Sequence, residues 1–243
     1  MDEDAKRYNE LSQPQYEAGR KFFNDLNISA GYKVLDMGCG TGDLTKYIAD
    51  IVGSDGQVFG IDPDDERIKI AKEKSKEVSN LQFHVGSNVT GFPHDGEPYY
   101  DVHVTTHAFH WFPPDQKKLY IQKSYQSLKP GGKLTILCSL RFGPEGNDQF
   151  AKMGLYPLSE EEYRNLFQEE GSFSNVEIKQ AVHKAFFKSK DMYKRWVKAS
   201  THHALEELDP EFVKGVQATS VTFQDDGTVT LIMPNICIIA VKE

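Results

Sequence analysis

Asp36 stands two residues ahead of three closely spaced glycines, in the run Asp36-Met37-Gly38-Cys39-Gly40-Thr41-Gly42, and a second acid, Asp62, follows 20 residues after the last of them. Glycines at this density let a backbone approach a ligand with no Cβ in the way. A dinucleotide site would place its third glycine one residue later and rest the pyrophosphate on the next helix start. Here Asp43 occupies that start, and its carboxylate would repel a phosphate. A phosphate-free ligand that carries an ammonium fits better. Asp62 is placed to accept hydrogen bonds from both hydroxyls of a ribose, as the equivalent acid does in nucleotide-binding folds.

A second group could do proton chemistry or orient an acceptor. Thr106-His107-Ala108-Phe109-His110-Trp111-Phe112 brings two imidazoles and an indole within a few residues, and Tyr8, Gln15 and Tyr16 lie near the N-terminus. An imidazole can take a proton within about 3 Å, whereas indole and amide N–H groups only donate. Each has a plainer alternative: the histidines as satisfied polar residues at a strand end, Trp111 as a packing aromatic, the tyrosines as helix packing, and Gln13 as a competing register for Gln15. Adjacent His202 and His203 cannot share a helix face and lack the spacing of a metal pair, so they read as surface.

The elements that position these groups follow from periodicity. Lys33–Met37 is a buried strand running straight into the glycine turn. A helix follows from about Asp43 to Val52, then a strand over Gln57–Ile61 ending at Asp62, and a helix from Pro63 to about Ser79. Leu81–Val85 and Tyr100–Thr106 are further strands. A helix over Gln116–Leu128 is stopped by Lys129-Pro130-Gly131-Gly132 before a strand at Lys133–Ser139. Strands alternating with helices of this length predict βαβ units and a mostly parallel sheet. Beyond residue 140, Ser159-Glu160-Glu161-Glu162 is a capping-box start for a helix. Val176–Phe187 is a strand, residues 189–220 are helical with Pro210 between two helices, and Thr228–Val241 closes the chain after an Asp226-Gly227 turn. The expected α/β architecture is a Rossmann-like sheet with an antiparallel last strand. Residues 1–243 then form a single domain, with a cofactor-binding core at 30–140 and a helical cap at 189–220.

Composition bounds the function. The 243 residues, 39% of them hydrophobic, can bury one continuous core. A net charge of −8 without a basic stripe argues against gripping nucleic acid. The chain has no apolar run of about 18 residues to span a bilayer, and the opening MDEDAKRYNE is too polar for a signal peptide. Cys39, Cys138 and Cys237, odd in number and far apart, argue against a disulfide framework or a zinc site and fit a cytoplasmic location.

Val34-Leu35-Asp36-Met37-Gly38-Cys39-Gly40-Thr41-Gly42, Asp62 and Leu128-Lys129-Pro130-Gly131-Gly132, in that order, resemble the motifs of class I S-adenosylmethionine-dependent methyltransferases over roughly residues 30–140. The resemblance implies S-adenosyl-L-methionine as cofactor, with Gly38, Gly40 and Gly42 close to its methionine part, Asp36 ordering the loop near the ammonium, and Asp62, followed by Pro63, at the ribose. Thr106 and Tyr16 are expected to border the cofactor. Where the family often reads the adenine amine with an Asp, this chain has Gly86-Ser87-Asn88-Val89, so Ser87 or Asn88 must serve, Asn88 preferred for its carbonyl oxygen. The shorter blocks look like the branch of juvenile hormone acid, farnesoic acid and trans-aconitate methyltransferases, in which Gln15 and Trp111 would face a substrate carboxylate.

A sulfonium methyl is already activated, so the protein mainly aligns and desolvates, which accounts for up to about 7–11 kcal/mol in the best intramolecular cases. A carboxylate acceptor needs no base; a phenol or amine would use His107 or His110. The expected reaction is O-methylation of a carboxylate on a small, mainly apolar acid. The alternatives are N- or phenol O-methylation and a non-catalytic cofactor-binding paralogue. Oligomeric state, monomer or homodimer, is left open.

Overall fold

A computed structural model describes residues 13–141, 149–170 and 172–243; Tyr8 lies outside them. Val34 and Leu35 in β1 (Lys33–Met37) are fully buried, because this strand sits mid-sheet with a partner on either side. Its neighbours are β2 (Gln57–Asp62) and, across the sheet's centre, β4 (Tyr100–Thr106), both parallel to it. With β3 (Leu81–Val85), β5 (Leu128–Ser139), β6 (Asn175–Phe187), β7 (Val221–Phe223) and β8 (Val229–Val241), the order is β3-β2-β1-β4-β5-β8-β6, and β7 also pairs β8. β8 runs antiparallel to β5, β6 and β7, so it alone is reversed.

Side-chain alternation splits the core into two layers. Val34, Val58, Val102 and Val104 pack against α1 (Gln13–Asp25), α2 (Asp43–Val52) and α3 (Asp65–Lys74). Leu35, Met37, Phe59 and Ile61 share the opposite layer with residues of α4 (Pro114–Ser127) and α6 (Glu160–Glu170). The short α5 is Gln149–Lys152, and α7 (Lys190–Thr201) and α8 (Pro210–Ser220) lie between β6 and β7. At the start of α6, Ser159 Oγ accepts the Glu162 N–H (3.2 Å) and Glu162 Oε2 accepts the Ser159 N–H (2.7 Å), the reciprocal cap read from the sequence.

Several boundaries differ from expectation, among them the helix expected from Pro63 to about Ser79, which runs Asp65–Lys74. β5 begins at Leu128 rather than after Gly132, because Leu128 already pairs with Tyr100 before a bulge at Gly131 (φ 78°). The 189–220 stretch breaks where His202 turns left-handed (φ 61°), followed by a 3-10 turn at Leu205–Glu207. A short strand, β7, follows α8 and forms a hairpin with β8 around Asp226-Gly227.

Candidate functional site

Strand order reverses between β2 and β4 on either side of β1, and in open α/β sheets ligands bind beyond the carboxyl ends of the strands at such a point. The glycine turn leaves β1 there. Gly38 and Cys39 donate their N–H groups to Ile61 O (2.7 and 3.0 Å), and Gly40 N–H donates to Asp62 Oδ2 (2.9 Å), so the end of β2 shapes the turn. Gly38 has φ 80°, and a Cβ there would lie 2.2 Å from Ala108 Cβ. This close approach brings the segment after β4 against the turn. Gly42 serves differently: at φ 82° its missing Cβ would meet Phe83 at 2.6 Å, and it lines neither of the two cavities described below.

Asp36 is 1% exposed; its Oδ2 accepts from Thr45 Oγ1 (2.7 Å), while Oδ1 is buried without a partner. Burial, opposed by Thr45 and reinforced by Asp62, pushes its pKa up to about 7. Asp62 Oδ1 accepts the Asp64 N–H (3.0 Å), and burial also raises its pKa. Each Asp62 oxygen has taken a single backbone donor, which leaves further acceptor capacity. Asp43 is paired with Lys74 and accepts from Thr41 Oγ1 (3.2 Å).

A small cavity of about 40 Å³ is bounded by Gln15, Tyr16, Asp36, Gly38, Gly40 and Thr106. It shares Gln15, Gly38, Gly40, Thr106 and His107 with a larger one of about 440 Å³. Asp62, Pro63, Asp64 and Arg67 form one side of the larger cavity. Ser87 and Asn88 border neither. Ser87 Oγ caps the N–H groups of Val89 and Thr90 (both 3.1 Å), and Asn88 Nδ2 donates to Gln116 O (2.8 Å), so the loop after β3 closes on itself and on α4.

The opposite wall carries the second group. His107 is left-handed (φ 53°), an uncommon conformation for a non-glycine residue and a candidate mark of function. Its Nε2 is buried without a partner, and burial, with His183 beside it, depresses its pKa to about 4. The Ser139 N–H donates to His110 Nδ1 (3.3 Å), which puts the neutral ring's proton on Nε2. Burial, then His107 and Lys117, lowers the His110 pKa to about 3. Trp111 lines the larger cavity, with the His202 ring edge-on at 5.8 Å. Gln15 points into the cleft but is shared: its Oε1 accepts from Trp196 Nε1 (3.1 Å) and its Nε2 donates to Ser200 Oγ (3.2 Å). Gln13 faces outward and bonds Glu17 (2.9 Å), which removes it as the competing register.

The rest of the larger cavity is apolar and comes from elements far apart in sequence, among them Phe150, Met153, Leu155, Phe212 and Val216. Tyr193, Trp196 and Val197 of α7 and Ile232–Pro234 of β8 also line it. Arg67, which lies 3.4 Å from Asp64, and Ser200 carry no spacing signal that would have marked them. Among the described residues no cluster of His, Cys, Asp or Glu could hold a metal, and no helix is long and apolar enough to cross a membrane.

Residues 34–132 match the family described as "Methyltransferase domain". A demethylmenaquinone methyltransferase of Staphylococcus epidermidis is 31% identical over 130 residues, 53% of this chain and 52% of the relative. A ubiquinone/menaquinone biosynthesis C-methyltransferase, UbiE, of Ectopseudomonas mendocina is 33% identical over 148 residues, 59% of this chain and 55% of the relative. The chain thus spans about half the length of the curated relatives it matches. The crystal structure of a SAM-dependent methyltransferase from Aquifex aeolicus superposes with a TM-score of 0.57 at 15% identity, covering 96% of this chain and 99% of that one. The fold is the Rossmann-like one of this solved methyltransferase, and residues 34–132 match a methyltransferase domain, in keeping with S-adenosylmethionine, the cofactor the sequence motifs imply. The site fits that cofactor on its own evidence: Asp36 Oδ1, buried and unpartnered at the small cavity, is the acceptor an ammonium requires.

Proposed function

We propose that this chain transfers a methyl group from S-adenosylmethionine to a small, mainly apolar molecule held in the larger cavity. The observation that carries the reading is the contact between the two cavities: the acidic, glycine-lined one opens through Gly38, Thr106 and His107 into a mostly apolar one. The cofactor supplies an electrophilic methyl. Asp36 would hold its ammonium and Asp62, beside Pro63, its ribose, with Gly38 and Gly40 allowing close approach and Tyr16 and Thr106 closing the sides. The apolar walls exclude water from the acceptor, and their shape aligns it.

For the acceptor atom, a carboxylate is the leading reading. Among the polar groups lining the larger cavity are two neutral donors, the indole N–H of Trp111 and the Nε2–H of His110, while the Gln15 amide at the junction is bonded to Trp196 and Ser200 of α7. A carboxylate is already ionised and needs no base. Trans-aconitate, with three carboxylates, fits poorly, since Arg67 is the one Lys or Arg among the described lining residues and it lies against Asp64. A second reading, methylation of a phenol, amine or ring carbon that must lose a proton, is favoured by His107, whose neutral ring keeps Nε2 free. The C-methyltransferase relatives agree with it.

Incubation with methyl-labelled S-adenosylmethionine and a metabolite extract should yield one labelled product. An ester hydrolysed by alkali, lost with Trp111→Phe and kept with His107→Ala, supports the carboxylate. A stable ether, amine or C–methyl product lost with His107→Ala establishes the second reading. No labelled product, despite tight cofactor binding, would point to a non-catalytic paralogue.

A further inference from the structure

Five large hydrophobic side chains are exposed among the described residues; Phe186 (74%) and Phe223 (40%) lie at one end of the sheet, with Val182 (65%) farther along β6. There β6 and β7 flank β8, with Phe186 in register with Thr230 and Phe223 with Val229. Alternation puts Phe186 on one face with Val182 and Lys184. Phe223 is on the other, with Tyr193 at 6.2 Å between ring centres and the Lys190 ammonium 5.1 Å from its ring. Two phenyl rings therefore straddle the tip of the sheet.

Charge is segregated in the stretch of chain that runs from the end of β6 into α7. Residues 182–198 hold Lys184, Lys188, Lys190, Lys194, Arg195 and Lys198 against a single acid, Asp191, in a chain whose net charge is −8. Lys194 is paired with Glu206 (2.7 Å), whereas Lys184, Lys188, Arg195 and Lys198 form no ion pair among the described residues. The opposing acids at the tip are Asp225 and Asp226 of the β7–β8 turn, and Asp226 Oδ1 is taken by the Thr228 N–H (3.0 Å) and hydroxyl (2.7 Å). Exposed rings set among unpaired lysines match a phospholipid surface, where aromatics enter the headgroup–acyl boundary and ammoniums meet anionic headgroups. A second copy docked tip to tip would set these lysines against each other.

We propose that the tip formed by the end of β6, β7 and the start of β8 docks on anionic lipid surfaces. The docking stands apart from the enzymatic reading. Its use rests on that reading: Leu231, Ile232, Met233 and Pro234, the next residues along β8, line the larger cavity, so an apolar acceptor dissolved in the lipid would meet the cavity wall beside the docked tip.

The test is flotation of the full chain with vesicles of phosphatidylcholine alone or mixed with phosphatidylserine, using wild type, Phe186→Ser/Phe223→Ser and Lys184→Glu/Lys188→Glu/Lys190→Glu. None of these positions lines either cavity. The wild type should float with the anionic vesicles, be released by high salt, and lose at least about fivefold in bound fraction with either variant set. Circular dichroism and S-adenosylhomocysteine binding, both expected unchanged, report that the variants are folded. Wild type remaining unbound, or variants floating as well as wild type, overturns the proposal. Sedimentation velocity showing a dimer dispersed by Phe186→Ser would assign the face to a protein contact instead, and also overturns it. Failure of cofactor binding in the wild type would sink the methyltransferase reading and leave the flotation result standing.

Discussion

Asp36 gathers the electrostatics of the cofactor site into one group. Its carboxyl, raised to about 7 by burial with Asp62 adding to it, is roughly half protonated near neutral pH when nothing cationic lies beside it. An ammonium ligand selects the ionised form. S-adenosylhomocysteine affinity should therefore fall about tenfold per pH unit below pH 7 and level off above it. Asp36→Asn should bind weakly at every pH with that dependence gone; calorimetry across pH 5.5–8.5 checks both, and a flat wild-type profile would refute the role. His103 is a different kind of residue. It is fully buried among Phe92, Tyr100 and Tyr120 with neither nitrogen partnered, and burial drives its pKa to about 3. Because the folded value is depressed, the unfolded chain takes the proton first, and stability drains as pH falls from about 6.5 toward 3. His103→Leu should remove one proton from that acid limb, worth about 1.4 kcal/mol per pH unit. It should be neutral or stabilising at pH 7, since it deletes two unpaired buried nitrogens. Urea melts at pH 5 and 7 measure the difference.

The elements show why two similar glycines are not equivalent. Gly38→Ala would drive a Cβ into Ala108 where β1 meets the segment carrying His107, at a cavity wall. Gly42→Ala would press on Phe83 and Ala71 at the start of α2, away from both cavities. Both also force a left-handed φ on alanine, costing roughly 1–2 kcal/mol. The expected split is that Gly38→Ala loses cofactor affinity beyond its loss of stability, whereas Gly42→Ala loses stability with the affinity of the remaining folded protein within about threefold. A thermal melt paired with calorimetry separates them. α1 and α7 are joined by the Gln15 bonds to Trp196 and Ser200. Trp111 and His202 make a second contact between the site and the segment after α7.

At the scale of the molecule, a ligand that binds only the folded chain stabilises it by mass action. S-adenosylhomocysteine at a hundred times its dissociation constant should contribute about 2.7 kcal/mol. For a chain of this length that raises Tm by roughly 5–10 °C. Scanning calorimetry with and without the ligand tests the whole assignment at once, and an unmoved Tm would count against it.

Much of this was legible in the residues themselves, for a physical reason. The glycine turn, Asp36 and the Asp62–Pro63 corner are local: backbone freedom and a carboxylate at a strand end depend on a few consecutive residues, and a buried parallel sheet writes itself as short apolar runs separated by amphipathic helices. The Ser159–Glu162 cap was readable on the same grounds. What only the tertiary structure decided is whatever requires one element to choose another. Gln15 could be named from its position, but not that its amide would be shared with Trp196, 181 residues away. Ser87 and Asn88 could be named as adenine readers, but not that the loop after β3 would fold back on itself and bond to α4 through Asn88 Nδ2. The apolar end of the larger cavity, from Phe150 to Val216, has no sequence signature, because a cavity wall is assembled from side chains that meet only after the sheet has closed.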